Sequence, residues 1–291
     1  MNIINKNIKI LIVGLGLMGG SYAKALRKKG FKVTAITDKK ESLEYALENN
    51  IIDEGYDYVN SEAVKEADII IFALYPKIFV EWVRENSHLF KKGTVITDVT
   101  GVKGTIVSLV QSLLPDGVEF IAAHPMAGRE VYGVENSDDK IFEGANYIVV
   151  PTEKNTRDGV ELCKDIGKIL GFSRISELSV KEHDEMIGFV SQLTHVIAVS
   201  LMTCSDNEHL VDYTGDSFRD LTRIARINEN MWSELFLLNK APLLEQIDIF
   251  LKECTSLRDM IENGDKEAIK EKMRLSTKRR ALFDKNKERR K

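Results

Sequence analysis

Cysteine is scarce in this chain, and the few present do not pair. Cys163, Cys204 and Cys254 are widely spaced and form no C-x-x-C. That argues against a disulfide framework and a structural zinc site, and for reduced thiols in the cytoplasm. The five histidines, at positions 88, 124, 183, 195 and 209, form no H-E-x-x-H or comparable ligand spacing, so no metal is expected. Long apolar runs are missing as well. The longest, Ile69 to Tyr75, is far too short to cross a bilayer, so no membrane association is expected. The polar start of the chain enters its first strand within ten residues and leaves no room for a signal peptide. The formal net charge is only −4, which suggests neither a nucleic-acid binder nor a membrane-surface protein. Positive charge does collect in residues 266–291, where 12 Lys and Arg face 4 Asp and Glu. This reads as a solvated final helix with a basic end, with a polyanion-binding arm as the alternative. Internal repeats and low-complexity linkers are absent.

What is present is a globular composition over 291 residues, room for one large domain or two ordinary ones. The first half alternates apolar strands with amphipathic stretches. The strands are expected at Ile8–Val13, Lys32–Thr37, Asp68–Leu74, Thr94–Thr97, Val118–Ala123 and Asn146–Val150, with helices such as Met18–Lys29 and Ile78–Leu89 between them. That alternation implies βαβ units and a mostly parallel sheet. At Ser179-Val180-Lys181-Glu182 a capping-box spacing opens a region of long apolar periodicity without strand signals. The expected architecture is an α/β, Rossmann-type, doubly wound sheet in residues 1–178. An all-α C-terminal domain of four or five helices follows in residues 179–291.

The strand Lys9–Val13 runs straight into Gly14-Leu15-Gly16-Leu17-Met18-Gly19 and then a helix. A bare G-x-G-x-x-G is common by chance, but strand before and helix after are the context that a dinucleotide site requires. Gly14 serves the tight turn, Gly16 the close approach of backbone to pyrophosphate, and Gly19 the helix–strand packing. The N–H groups of Leu17 and Met18 point at the phosphates from the helix N-terminus. Asp38, at the end of the second strand and 19 residues past Gly19, suits ribose hydroxyls and disfavours an extra phosphate. NAD is therefore the expected cofactor, with the neighbouring Lys39 weakening the preference over NADP.

Ligands of open α/β sheets lie outside the carboxyl ends of the strands. Leu74 and Tyr75, Thr100, and His124 fall at such ends and are expected to face the nicotinamide. An imidazole there can take a proton from a hydroxyl as its carbon gives up a hydride. A satisfied buried histidine is the bland alternative. Ser191 and His195 stand one turn apart in the apolar run Val190–Leu201, a pattern that suits a hydrogen-bonded core histidine as well as a functional one. Arg219, Arg223 and Arg226, at i, i+4 and i+7, present a cationic face suited to an anionic ligand or to nearby acids. Trp82 and Trp232 fit core or pocket equally.

These residues also carry a resemblance. The chain resembles, nearly end to end, the prephenate and arogenate dehydrogenases of tyrosine biosynthesis. The resemblance rests on G-L-G-L-M-G-G-S from Gly14, Asp98 with Gly101-Val102-Lys103-Gly104, and His124-Pro125-Met126-Ala127-Gly128. It continues in Ser191-Gln192-Leu193-Thr194-His195 and in Phe218-Arg219-Asp220-Leu221-Thr222-Arg223-Ile224-Ala225 with Met231-Trp232. It implies NAD-linked oxidative decarboxylation of prephenate to 4-hydroxyphenylpyruvate, with His124 as the base for the ring hydroxyl. It further implies Arg223 on a substrate carboxylate, His195 helping to hold the substrate, and Trp232 reaching in from the helical domain, in some arrangements across a dimer interface. Three positions depart from the family pattern. Gly101 stands where many members have serine, Gln192 replaces a histidine, and Arg129 replaces a small hydroxyl residue. Gln192 and Arg129 are accordingly expected among the substrate-binding residues, with Arg129 bearing on the choice between prephenate and arogenate.

A β-hydroxyacid dehydrogenase has a similar glycine loop but uses a catalytic lysine on a helix of its second domain, where this chain has S-Q-L-T-H. An inactive NAD-binding regulator is the alternative from a different class. The helical domain, with stripes such as Leu235–Leu238 and Ile247–Leu251, is expected to form a homodimer. The chain has room for neither an added mutase domain nor a regulatory domain, so any tyrosine feedback is expected at the active site itself.

Overall fold

The computed structural model describes residues 5–288, with side chains through 283. The end of the basic tail, residues 289–291, lies outside the described residues. In chain order the first part runs β1 (Ile10–Val13), α1 (Leu17–Lys28), β2 (Val33–Ile36), α2 (Lys40–Glu48), β3 (Glu54–Tyr56), α3 (Ser61–Glu66), β4 (Ile69–Phe72), α4 (Pro76–Asn86), β5 (Val95–Asp98) and α5 (Gly104–Leu113). It continues with β6 (Glu119–Phe120), β7 (Ala122–Met126), β8 (Asn146–Val150), α6 (Arg157–Leu170) and β9 (Arg174–Glu177).

Six strands form a parallel sheet in the order β3-β2-β1-β4-β5-β6, the doubly wound dinucleotide-binding order. Its central strands, Ile10–Val13 and Ile69–Phe72, are buried along their whole length because helices cover both faces. Alternate residues feed two cores. Ile10, Ile12, Ile69 and Ile71 pack with Tyr22, Ala23 and Leu26 of α1 on one face. Leu11, Val13, Ile70 and Phe72 pack with Phe79 and Val83 of α4 and Val110 of α5 on the other.

Sequence reading runs one strand on from Val118 and ends it before His124. The structure instead splits the run. β6 closes the parallel sheet, and β7 leaves it to pair antiparallel with β8, which pairs parallel with β9. His124 therefore sits inside a strand, opposite Ile148, and Pro125 stands opposite Tyr147. Proline is tolerated because β7 is an edge strand, where a missing N–H need not break a ladder.

Helices follow Glu177: α7 (Val180–Ile187), a π turn at Gly188–Leu193, α8 (Thr194–Thr203), α9 (Leu210–Tyr213), α10 (Asp216–Thr222), α11 (Glu229–Leu238), α12 (Lys240–Glu262) and α13 (Lys266–Glu288). The capping box forms as read: the Ser179 hydroxyl accepts from the Glu182 N–H, and the Glu182 carboxylate accepts from the Ser179 N–H. The change from strands to helices thus falls between residues 177 and 180, whereas the break in packing falls later. One compact unit ends at Asn239, and a second, built of α12 and α13, begins at Lys240.

The run Val180–Thr203 is long and apolar enough to cross a membrane by length and composition, with a mean hydropathy of 1.5. Its polar side chains Asp184 and Gln192 are bonded to Lys103, Gly104, Leu235 and Asn239 of the same unit.

Candidate active site

The glycine loop joins β1 to α1 in a conformation that depends on two of its glycines. Gly14 has φ +101°, and a Cβ there would run into the carbonyl of Ala73. A Cβ on Gly19 would collide with the carbonyl of Gly14. Gly16 is different, because a Cβ there would meet nothing within 4 Å. Packing does not require a glycine at 16. Gly16 caps α1 without a side-chain bond to the first-turn N–H groups, and Leu17 and Met18 are half-buried there. Asp38 is exposed directly beyond β2. This loop and carboxylate fit a dinucleotide.

From Gly14 the site continues along the carboxyl ends of β1, β4 and β5. The Ala73 N–H donates to the Val13 carbonyl at 2.8 Å, and that of Val99 donates to Phe72 at 3.1 Å. Leu74 packs against Gly14, and the exposed Tyr75 accepts a hydrogen bond from Asn228 at 3.2 Å. Thr100 is buried, and its hydroxyl donates to the Asp98 carboxylate.

Asp98 and Lys103 are fully buried and paired at 2.7 Å. Together they hold both backbone polar groups of Ala123, the residue before the candidate base. The Asp98 Oδ1 accepts from the Ala123 N–H at 2.9 Å, and the Lys103 Nζ donates to the Ala123 carbonyl at 2.7 Å. Burial pulls the Lys103 ammonium below the usual lysine range, against the opposing pull of Asp98.

His124 is half-buried, and its Nδ1 lies 2.9 Å from Nε2 of His183. His183 is fully buried, with its Nδ1 2.7 Å from Oδ1 of Asp184. The Asp184 carboxylate also accepts from the N–H groups of Lys103 at 2.9 Å and Gly104 at 2.7 Å, where α5 begins. Burial, reinforced by His183 and Lys103, holds His124 well below the usual histidine range. Burial also lowers His183, despite the hydrogen bond to Asp184 that works the other way. Both rings are therefore harder to protonate than a free imidazole.

On the helical side, the π turn shifts the register of the run, a device frequent at functional sites. His195 Nδ1 donates to the Ser191 carbonyl at 2.9 Å, and its ring lies on that of Trp232 with centroids 3.6 Å apart. Arg223 is exposed and pairs with Glu130 at 2.5 Å.

Four sequence expectations meet partners within the chain. Gln192, expected at the substrate, is 1% exposed; its amide donates to the Leu235 carbonyl at 3.0 Å and accepts from Asn239 at 2.7 Å, so it braces α11. Arg129, also expected at the substrate, is tied to Asp138 at 2.5 Å on the loop that docks on Ser21. The three arginines share no single helix face, because α10 stops at Thr222 and a 3-10 turn carries Arg223. Arg219 pairs with Asp216 at 3.3 Å. The side chain of Thr100, expected at the cofactor, is turned into the Asp98–Lys103 network.

Sequence reading assigned no role to His183, Asp184 or Lys103. The available signals were an adjacent His-Asp in the first turns after a capping box, and a lysine between apolar stretches just past a strand-end aspartate. Among the described residues no group of three His, Cys, Asp or Glu side chains is placed to hold a metal ion.

The chain is similar to known proteins over most of its length. The family model described as "Prephenate dehydrogenase, nucleotide-binding domain" matches residues 22–173. The one described as "Prephenate dehydrogenase, dimerization domain" matches residues 179–275. The chain is 33% identical over 268 residues to the prephenate dehydrogenase of Bacillus subtilis, covering 89% of this chain and 72% of that protein. It is 28% identical to the cyclohexadienyl dehydrogenase of Zymomonas mobilis, covering 93% and 94%. Among solved structures, prephenate dehydrogenase from Aquifex aeolicus in complex with hydroxyphenyl propionate and NAD+ superposes with a TM-score of 0.87 at 31% identity, covering 95% of this chain and 98% of that one.

Proposed function

The chain belongs to the prephenate dehydrogenase family, and from that premise we propose that it oxidatively decarboxylates prephenate to 4-hydroxyphenylpyruvate with NAD. The observation that carries this reading is the half-buried His124 on β7, next to the parallel sheet that bears the glycine loop, with its Nδ1 held 2.9 Å from His183. NAD is the hydride acceptor, held by the Gly14, Gly16 and Gly19 loop and by Asp38. His124, in its unprotonated form, takes the proton of the ring hydroxyl as hydride leaves the same carbon. Loss of carbon dioxide then makes the ring aromatic, which drives the step forward. Arg223 exchanges Glu130 for a substrate carboxylate, and His195, backed by Trp232, holds the substrate. Leu74 and Tyr75 border the nicotinamide end.

Residues 179–291 serve as the substrate and dimer domain. Apolar side chains exposed on its first helical run, among them Met186, Phe189 and Val190, suit a homodimer interface. Tyrosine, as a product-like ligand, inhibits by competing with prephenate.

The test is NAD reduction by the purified protein, with prephenate and arogenate offered separately and NADP as control cofactor. Turnover with prephenate and NAD is expected. Preference for arogenate keeps the mechanism and changes the substrate. NAD binding without turnover on either overturns the reading in favour of a regulator.

A further inference from the structure

We propose that Asp184, acting through His183, fixes the tautomer of His124 so that its Nε2 is the unprotonated nitrogen offered to the substrate hydroxyl. Both are positioning residues, and the inference rests on the reading of His124 as the base.

The argument runs outward from Asp184. The two backbone N–H groups it meets, of Lys103 and Gly104, can only donate, so both carboxylate oxygens act as acceptors. Both oxygens of this carboxylate accept at the start of α5, so it presents an acceptor to His183. The 2.7 Å contact between Oδ1 and Nδ1 of His183 therefore requires the proton on Nδ1. A neutral imidazole carries one N–H, which leaves Nε2 of His183 as an acceptor. Nδ1 of His124, 2.9 Å away, must then be the donor. Nε2 of His124 is left with its lone pair.

Among the described residues, His183 supplies the hydrogen-bond contact to the ring. Position 101 is a glycine, and a Cβ built there would lie 3.8 Å from Cε1 of His124. Gly101 has no hydroxyl to donate or accept, so the His183 contact sets which face of the base is free. When His124 takes the hydroxyl proton it becomes an imidazolium whose charge is opposed by nearby Lys103 and supported by the Asp184 carboxylate behind His183. An aspartate that holds a base histidine in one tautomer is known to matter by orders of magnitude in hydrolases. Here the aspartate acts at one remove.

The test uses the full-length protein with NAD bound and ring-15N histidine. Five histidines give few signals, and the His124→Asn variant identifies that of His124. In the wild type, His124 is expected as the Nδ1–H form. Asp184→Asn is expected to convert it partly or wholly to Nε2–H and to lower kcat at least about tenfold, with KM for prephenate within about threefold. His183→Leu should lose kcat similarly. In His183→Gln the amide oxygen can accept from His124 without reference to Asp184, so kcat should recover to within about fivefold of wild type. Adding Asp184→Asn to His183→Gln should then cost little further turnover, a coupling that a purely structural role does not produce. If Asp184→Asn fails to fold, the His183→Leu and His183→Gln pair decides alone. An Nε2–H signal in the wild type, or wild-type kcat in His183→Leu, overturns the proposal. Neither outcome bears on whether His124 is the base, which His124→Asn tests by turnover.

Discussion

Arg223 Nη1 lies 2.5 Å from Oε1 of Glu130, joining the helical part of the unit to the loop that follows His124. The pair is largely exposed, and exposed ion pairs contribute only about 0–1 kcal/mol. A substrate carboxylate can therefore displace Glu130 at small cost. Arg223→Ala is expected to raise KM for prephenate by about 10- to 100-fold, as loss of a charge-assisted contact implies. Glu130→Gln should leave KM unchanged or lower it by up to about fivefold. Steady-state kinetics on both variants checks this; a large rise in KM for Glu130→Gln contradicts it.

The glycine loop separates ligand from packing. Gly16→Ala adds a methyl that meets nothing within 4 Å, so its melting temperature should match wild type while NAD affinity falls at least about tenfold. Gly19→Ala drives a methyl into the Gly14 carbonyl and should destabilise the fold itself. Thermal melts with and without NAD distinguish the two. Wild-type NAD affinity in Gly16→Ala contradicts the site.

Asp98 and Lys103 are both at 0% side-chain exposure. Removing one member of a buried pair leaves an uncompensated charge, at a cost of about 3–5 kcal/mol. Lys103→Met is expected to lose that much in urea denaturation, and to release the Ala123 carbonyl that positions His124. A loss below about 1 kcal/mol shows that the pair is not structural.

The lowered His124 and His183 fix a sign for pH dependence. Folded, both bind protons less readily than in the unfolded chain, whose histidines titrate near pH 6.5. Between the folded and unfolded values the unfolded chain binds more protons. Stability is therefore fully present above about pH 6.5 and falls as pH drops below it, before the carboxylates titrate. Urea midpoints at about pH 7.5, 6 and 5 should decline in that order, and the acid limb of kcat/KM should lie below about 6.5. An acid limb at or above that value contradicts a lowered His124.

Much of this was legible in the sequence. The glycine loop, β1, β4, β5 and the capping box at Ser179 depend on local patterns, and the structure reproduces them within two residues or so. Strands β3 and β9 were not seen, being three and four residues long and without a fully buried face. The split at Ile121 was missed because β7 is defined by its partner β8, more than twenty residues on. His183, Asp184 and Lys103 were silent for a similar reason. Their chemistry comes from contacts about 60 to 80 residues apart in the chain, and no local periodicity records these. Gln192 was expected at the substrate by analogy with a histidine of the family pattern, and its contacts with Leu235 and Asn239, more than forty residues on, leave no local trace.

The measurement that tests the account most directly pairs turnover with cofactor binding in His124→Asn. A lost general base costs about 10²- to 10⁴-fold in rate. The account requires a fall of that size in prephenate-dependent NAD reduction, with NAD affinity unchanged and the fold intact. Turnover within about tenfold of wild type would contradict it and remove His124 from the chemistry.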